Sequence, residues 1–141
     1  MSNDQSVSVR WARNFQFVGS DASGHSFVMD ASKPNGEDTG LRPMDTLLLA
    51  LGGCTGMDIV QGFKKFGKTL DSLDIKVSGK RAERPPRKFT DVTVHYIIRS
   101  KDADEQFVRK VIKDSEEIFC SVAATIRPGA TIETTFELLN S

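Results

Sequence analysis

The sequence predicts an α+β fold in one domain that spans residues 1–141. A chain of 141 residues has the usual length of a single domain. Its 38% hydrophobic and 27% charged residues are typical of a globular protein with a core. The segment order is strands, helix, strands, helix, strand, which lacks the regular alternation of βαβ folds.

The first segments predict three short strands and a loop. Apolar and polar residues alternate over 7–11 and again over 15–17, so the pair at 13–14 predicts a tight hairpin. Residues 25–30 supply a third strand. The stretch 33–40 is rich in turn formers, and we expect an exposed loop there.

A long helix is predicted between Pro43, which suits a first helical turn, and Gly67, which suits the residue just past a helix end. Its apolar residues occupy nearly all faces, which predicts a central and buried helix. They are Leu47, Leu48, Leu49, Leu51, Ile59, Val60, Phe63 and Phe66.

The remaining segments predict strands at 73–77 and 89–98 and a final alternating strand at 131–139. Between the last two lies an amphipathic helix, which Asp102 or Asp104 can cap. It ends near Phe119 and Cys120, before a short apolar segment.

Charge and motif content exclude several classes of function. Lys plus Arg and Asp plus Glu both number 19, so no basic field attracts nucleic acid or an anionic membrane. The longest uncharged stretch, 46–57, falls short of the about 20 residues of a membrane span. The first six residues lack a signal-peptide pattern, and we expect a cytoplasmic protein. His25 and His95 form no zinc-binding spacing with the cysteines, so no metal and no cofactor are predicted.

The chemically unusual feature is Cys54, which three helix-interior glycines flank: Gly52, Gly53 and Gly56. Each costs about 1 kcal/mol relative to alanine. Their presence indicates that another chain, a strand or a ligand approaches the backbone closely. Cys54 alone is equally compatible with a small buried hydrophobic residue.

Cys120 follows the second helix, where the N–H groups of the next segment could face its sulfur and lower its pKa. A structural role for this residue alone is an equally open alternative. Two cysteines together suggest that a sulfenic acid formed on one is resolved by the other.

Residues 42–54, 84–90 and 119–126 resemble the OsmC/Ohr superfamily, the osmotically inducible and organic hydroperoxide resistance proteins, and the similarity covers essentially the whole chain. In detail it is most similar to the less characterised OsmC-like branch. The resemblance implies antiparallel sheets wrapped around long central helices in an intertwined homodimer, with active sites at the subunit interface.

The resemblance also implies residue roles. Cys54 would be the peroxidatic and Cys120 the resolving cysteine, and a dithiol such as dihydrolipoamide would reduce their disulfide. Arg13, with Arg10 as the fallback, would stabilise the Cys54 thiolate. The arginine-holding glutamate of the family follows the helix-opening proline, where this sequence has Met44 and then Asp45.

Asp45 either replaces that glutamate or is only a carboxylate at the N-terminus of a helix. It lies nine residues before Cys54, about 13 Å along a straight helix. If both serve one site, either the helix is broken or two subunits contribute.

The predicted function is thiol-dependent reduction of organic hydroperoxides in oxidative stress defence, with a preference for organic peroxides because residues around Cys54 are mostly apolar. The alternative is a noncatalytic or weakly catalytic dimer that binds a small ligand. A third hypothesis is a structural dimer with two inert cysteines.

Overall fold

The computed structural model describes residues 3–140. The chain divides into two compact units, one that ends at Leu47 and one that begins at Leu48. Its helices and strands confirm the α+β class. The single domain over residues 1–141 stays a prediction.

The first unit contains an antiparallel sheet of three strands, β1 (Ser8–Arg13), β2 (Gln16–Ser20) and β3 (Ser26–Met29), in the order β1-β2-β3. A tight turn joins β1 and β2, in which Asn14 adopts a positive φ of 47° and its carbonyl accepts a hydrogen bond from the Trp11 indole. The predicted hairpin and third strand are confirmed.

The loop after β3 is organised around a buried carboxylate, that of Asp30. It accepts hydrogen bonds from the backbone of Ala31 and from both the backbone and the hydroxyl of Thr39. The Thr39 hydroxyl is the main cause of the lowered pKa of Asp30. Gly36 is required here, because a Cβ at this position would lie 2.3 Å from the Ala31 carbonyl oxygen.

The long helix α1 runs unbroken from Pro43 to Lys65, and Gly67 follows it with a positive φ of 66°. Both predicted ends are therefore confirmed. By length and composition alone, α1 could cross a membrane, a test that the core helix of a soluble protein also passes. Three of its apolar side chains, Leu51, Ile59 and Phe63, are buried in the second unit.

The opposite side of α1 is exposed in the single chain, in contrast to the prediction of a helix buried all round. The exposed apolar residues of this side share a helical spacing, so they form one stripe. They are Leu49, Met57 and Val60.

The second unit contains the strands β4 (Ser72–Arg81), β5 (Phe89–Arg99) and β6 (Thr131–Leu139), in the order β4-β5-β6. β4 and β5 pair antiparallel, as predicted, but β5 and β6 pair parallel. The prediction of antiparallel sheets is wrong for this pair. The helical segment between β5 and β6 is the physical reason, because parallel neighbours need such a crossover.

That crossover comprises α2 (Glu105–Asp114), a π-helical turn (Ser115–Phe119) and α3 (Ser121–Ile126). Of the two predicted caps, Asp104 is the one that accepts a hydrogen bond from the backbone of Phe107, at 2.8 Å. The core of the unit lies on the inward face of β5 and also contains side chains of α1 and α2. It includes Val92, Val94, Tyr96, Ile98 and Val108.

Candidate functional site

The glycines around Cys54 let a strand approach the helix closely. A Cβ on Gly52 would lie 3.0 Å from a methyl of Val77, and one on Gly56 would lie 2.8 Å from Cδ1 of Ile75. Both contacts are made by β4, so the close partner is a strand, one of the three alternatives raised by the sequence. Gly53 has no such neighbour within 4 Å.

The structure brings Cys54 and Cys120 together. Both thiols are free, and a carboxylate oxygen of Asp58 completes a cluster in which all three donor atoms lie within 4.8 Å of one another. Cys54 is half-buried, whereas Cys120 is only 3% exposed. A disulfide has an S–S distance of about 2.05 Å, so a bond between the two requires their sulfurs to move closer together.

The π-helical turn positions Cys120. The backbone N–H of Cys120 donates to the Ser115 carbonyl at 2.8 Å, which closes the wide turn. At the start of the same turn, the buried Ser115 hydroxyl donates to Oδ2 of Asp58 at 2.7 Å. The turn therefore contacts α1 beside Cys54 and presents Cys120 to it.

Asp58 and Ser115 are not among the site residues that the sequence predicts. A signal for Asp58 was present, because a residue four positions after Cys54 shares its side of a helix. The sequence places Ser115 at helical spacing from Val111 and Ile112, which indicates the apolar side of the second helix, but its contact with Asp58 depends on the packing of the π-helical turn on α1.

Burial raises the pKa of the Cys120 thiol to about 11. The backbone N–H of Ala123 donates to its sulfur at 3.3 Å and opposes this shift. Contact with Cys54 and the charge of Asp58 raise the pKa further. The predicted N–H contact is thus present, but the predicted lowering of the pKa is wrong because burial outweighs one hydrogen bond.

Tyr96 of β5 places a second unusual group near the cluster. Its hydroxyl is buried and has no hydrogen-bond partner among residues 3–140. Burial raises the pKa of Tyr96 to about 12, and the charges of Cys120 and Asp58 act in the same direction. The nearby Thr55 side chain opposes the shift, although its own hydroxyl donates to the Leu51 carbonyl.

A cavity of about 310 Å³ adjoins the cluster, with Asp58 on its wall. Its apolar lining comes from Phe66, Val111 and Phe119, and its polar lining includes Gln61. Such a mixture can hold an alkyl group and still orient a polar end.

Arg13 and Asp45, the other predicted site residues, belong to the first unit. Arg13 ends β1 and forms an ion pair with Glu37 at 2.6 Å, and its side chain is 68% exposed. Its carboxylate partner in the chain is thus Glu37. Asp45 lies in the first turn of α1, and Arg10 is exposed on β1. The roles of these three residues stay predictions.

Two thiols and one carboxylate are also residue types that could hold a metal ion, although such groups are common in proteins without one. Sequence spacing does not reveal this set, because Cys120 lies far along the chain from Cys54 and Asp58. The set has one protein ligand fewer than structural zinc sites use. Its distinctive property is the pairing of a half-exposed thiol with a buried one.

This α+β fold with two neighbouring thiols is that of the OsmC/Ohr superfamily. Residues 36–135 match the family described as OsmC-like protein. The chain belongs to this family, as its sequence motifs predict.

Relatives and solved structures agree with this assignment. Protein YhfA of Escherichia coli strain K12 is 31% identical over 131 residues, which cover 93% of the chain and 96% of the relative. The OsmC-like protein of Mycoplasma pneumoniae has a TM-score of 0.85 at 17% identity, with 99% of both chains covered. The organic hydroperoxide resistance protein OhrB of Bacillus subtilis has a TM-score of 0.63 at 18% identity, with coverage of 95% and 98%. The last two similarities concern the fold alone.

Proposed function

We propose that the protein is a thiol-dependent peroxidase that reduces organic hydroperoxides in oxidative stress defence. The observation that carries this proposal is the approach of two free thiols to within 4.8 Å. Cys54 is the more exposed of the two and is the attacking thiol, and Cys120 is the buried partner that resolves it.

In the proposed reaction, the Cys54 thiolate attacks the distal oxygen of the hydroperoxide and the O–O bond breaks. The leaving alkoxide takes up a proton to become an alcohol, and Cys54 becomes a sulfenic acid. Cys120 then attacks the Cys54 sulfur, which forms the disulfide and releases water. A dithiol such as dihydrolipoamide reduces the disulfide and is itself oxidised.

The Cys54 thiolate requires a cation, and we assign this role to Arg13, with Arg10 as the fallback and Asp45 as a carboxylate of the same site. Because α1 is unbroken, the proposal adopts the alternative in which two subunits contribute to each site. The exposed apolar stripe of α1 supports a homodimer, since such a surface calls for a partner. Each subunit is then a single OsmC-like domain.

The cavity beside Asp58 supports the choice of substrate. Its apolar lining favours a hydroperoxide with an organic tail over hydrogen peroxide. The balanced charge of the chain gives no reason to expect a nucleic-acid or membrane partner, and we propose a cytoplasmic protein.

A ligand-binding dimer without turnover is the second candidate. Two observations favour it: Met44 follows the helix-opening Pro43 where the family has glutamate, and the charge of Asp58 opposes the ionisation of Cys120. The half-exposure of Cys54 argues against a third option, two inert core cysteines.

Mass spectrometry after oxidation separates these candidates. Fully reduced protein would receive one equivalent of cumene hydroperoxide, with hydrogen peroxide as the comparison. We expect a bridge between Cys54 and Cys120 that forms faster with the organic peroxide. Cys54→Ser should abolish turnover, and Cys120→Ser should accumulate overoxidised Cys54. Two unchanged thiols would refute the peroxidase and leave ligand binding.

A further inference from the structure

The buried state of Cys120 creates a chemical requirement. A thiol must lose its proton to attack another sulfur, because the thiolate is the nucleophile. Cys120 is only 3% exposed, and its burial favours the protonated form. Bulk water has little access to its sulfur, so a group of the protein has to accept the proton.

Asp58 is placed to accept it. Its carboxylate belongs to the same 4.8 Å cluster as both sulfurs, a separation that one water or a small rotation can bridge. Ser115 holds Oδ2 at 2.7 Å, while Oδ1 accepts no hydrogen bond from the described residues. One oxygen is therefore fixed and the other is free to receive a proton.

The proton transfer takes place among several other titratable and charged groups. Cys54 and Lys65 share α1 with Asp58, and Lys65 also lines the cavity beside Asp58. The opposing elements place acidic groups near the cluster or on the cavity wall, namely Tyr96, Glu116 and Asp114. None of them shares the 4.8 Å cluster with the two sulfurs.

We propose that Asp58 is the proton acceptor for the attack of Cys120 on oxidised Cys54. The Cys120 sulfur forms a bond to the Cys54 sulfur as its proton moves to the Asp58 carboxylate. The S–O bond of the sulfenic acid breaks, and the departing hydroxide takes the proton from Asp58 and leaves as water. The Cys54 sulfur is reduced, the Cys120 sulfur is oxidised, and no external electron is needed.

This inference rests on the resolving role of Cys120 in the proposed function, and a peroxide-independent reaction tests it separately. Ellman's disulfide, 5,5′-dithiobis(2-nitrobenzoate), would place one thionitrobenzoate on Cys54 and release a second one, which absorbs at about 412 nm. Attack by Cys120 then releases the bound thionitrobenzoate. This leaving group needs no proton, so the second phase reports the deprotonation of Cys120.

In Asp58→Asn, we expect the second phase to slow at least tenfold at pH 7 while the first phase keeps its rate. The rate of the second phase in this variant should then rise about tenfold per pH unit between pH 6 and 9, whereas the rate of the same phase in the wild type does not change with pH. Asp58→Glu should restore part of the rate. Glu117→Gln, which removes an exposed carboxylate from the π-helical turn outside the cavity, is the matched control and should behave as wild type.

Equal second phases in wild type and Asp58→Asn would overturn the inference. The wild-type profile alone is also decisive if the variant does not fold: a tenfold rise per pH unit would exclude a resident proton acceptor. A flat wild-type phase without peroxide turnover would refute the peroxidase and retain the role of Asp58. Peroxide turnover by the wild type, together with an Asp58→Asn variant whose second phase keeps the wild-type rate, would support the peroxidase and refute the role of Asp58.

Discussion

The hydroxyl of Ser115 donates a 2.7 Å hydrogen bond to Oδ2 of Asp58. Ser115 begins the π-helical turn that ends just before Cys120, and Asp58 lies one helical turn after Cys54. One side-chain contact thus joins the two segments that carry the thiols. It couples the stability of the second unit to the geometry of its cysteine pair.

Removal of this contact should destabilise the fold. Ser115→Ala leaves a carboxylate without its buried donor, and we expect the free energy of unfolding to fall by about 1.5–3 kcal/mol. Urea unfolding at pH 7 measures this change. The exposed Ser121→Ala is the control and should stay within about 0.5 kcal/mol of wild type. Equal stability of the two variants would mean that the contact contributes little.

The close approach of α1 and β4 predicts an energetic coupling between Gly56 and Ile75. Gly56→Ala places a Cβ against Cδ1 of Ile75, and Ile75→Val removes that same atom. We expect the valine substitution to relieve the cost of the alanine, with a coupling of about 0.5–3 kcal/mol in a double-mutant cycle of unfolding free energies. Gly53→Ala has open space around it and should show no coupling to Ile75. Additive effects at Gly56 would contradict the contact.

Because the hydroxyl of Tyr96 is buried, we expect the free energy of unfolding to fall at alkaline pH. Its pKa is raised from 10.0 to about 12, so the folded state holds a proton that the unfolded state releases. Stability from this group is complete below about pH 10 and is lost as pH rises towards 12. Unfolding measured from pH 9 to 12 should show a steeper loss for wild type than for Tyr96→Phe.

A spectroscopic measurement checks the same property directly. Tyr96 is the one tyrosine in the sequence, so phenolate absorbance reports this residue alone. The folded protein should develop this absorbance near pH 12 and the urea-unfolded protein near pH 10. A folded-state midpoint at 10 would show that the hydroxyl is accessible to water.

The exposed stripe on α1 predicts that one charge will dissociate the proposed homodimer. Met57 is 74% exposed in the single chain, and Met57→Glu would bury a carboxylate in an apolar interface. We expect the dimer to weaken at least thirtyfold, which corresponds to about 2 kcal/mol. Sedimentation equilibrium measures the change, with the exposed loop variant Lys101→Glu as the control. A wild-type protein that sediments as a monomer at micromolar concentration would refute the dimer.

Local sequence patterns predicted the elements of the fold well. Strand alternation identified the first hairpin, and Pro43 and Gly67 marked the ends of α1 because each residue type has a defined backbone preference. The parallel pairing of β5 and β6 was not predictable in this way. Alternation shows which side of a strand is buried, but it carries no information about the direction of a neighbour.

The candidate site was predictable only in part. The resemblance to a family paired Cys54 with Cys120, and the structure brings the two together. Asp58 and Ser115 were missed because their contact depends on how the crossover packs against α1. The pKa of Cys120 was predicted in the wrong direction because a sequence shows a neighbouring N–H but not the depth of burial.

The π-helical turn makes the length of this segment more critical than its side chains. Glu117, Ile118 and Phe119 are exposed, so substitutions there change little of the packing in the single chain. A one-residue insertion or deletion is different, because it changes the five-residue spacing between Cys120 and Ser115, whose carbonyl bonds the Cys120 N–H and whose hydroxyl bonds Asp58. Homologues that keep the cysteine pair should therefore tolerate substitutions at Glu117 and Ile118 and resist insertions or deletions in this turn. The position of gaps in a sequence alignment of this family would distinguish members whose two thiols lie close together from members that keep both cysteines but hold them apart.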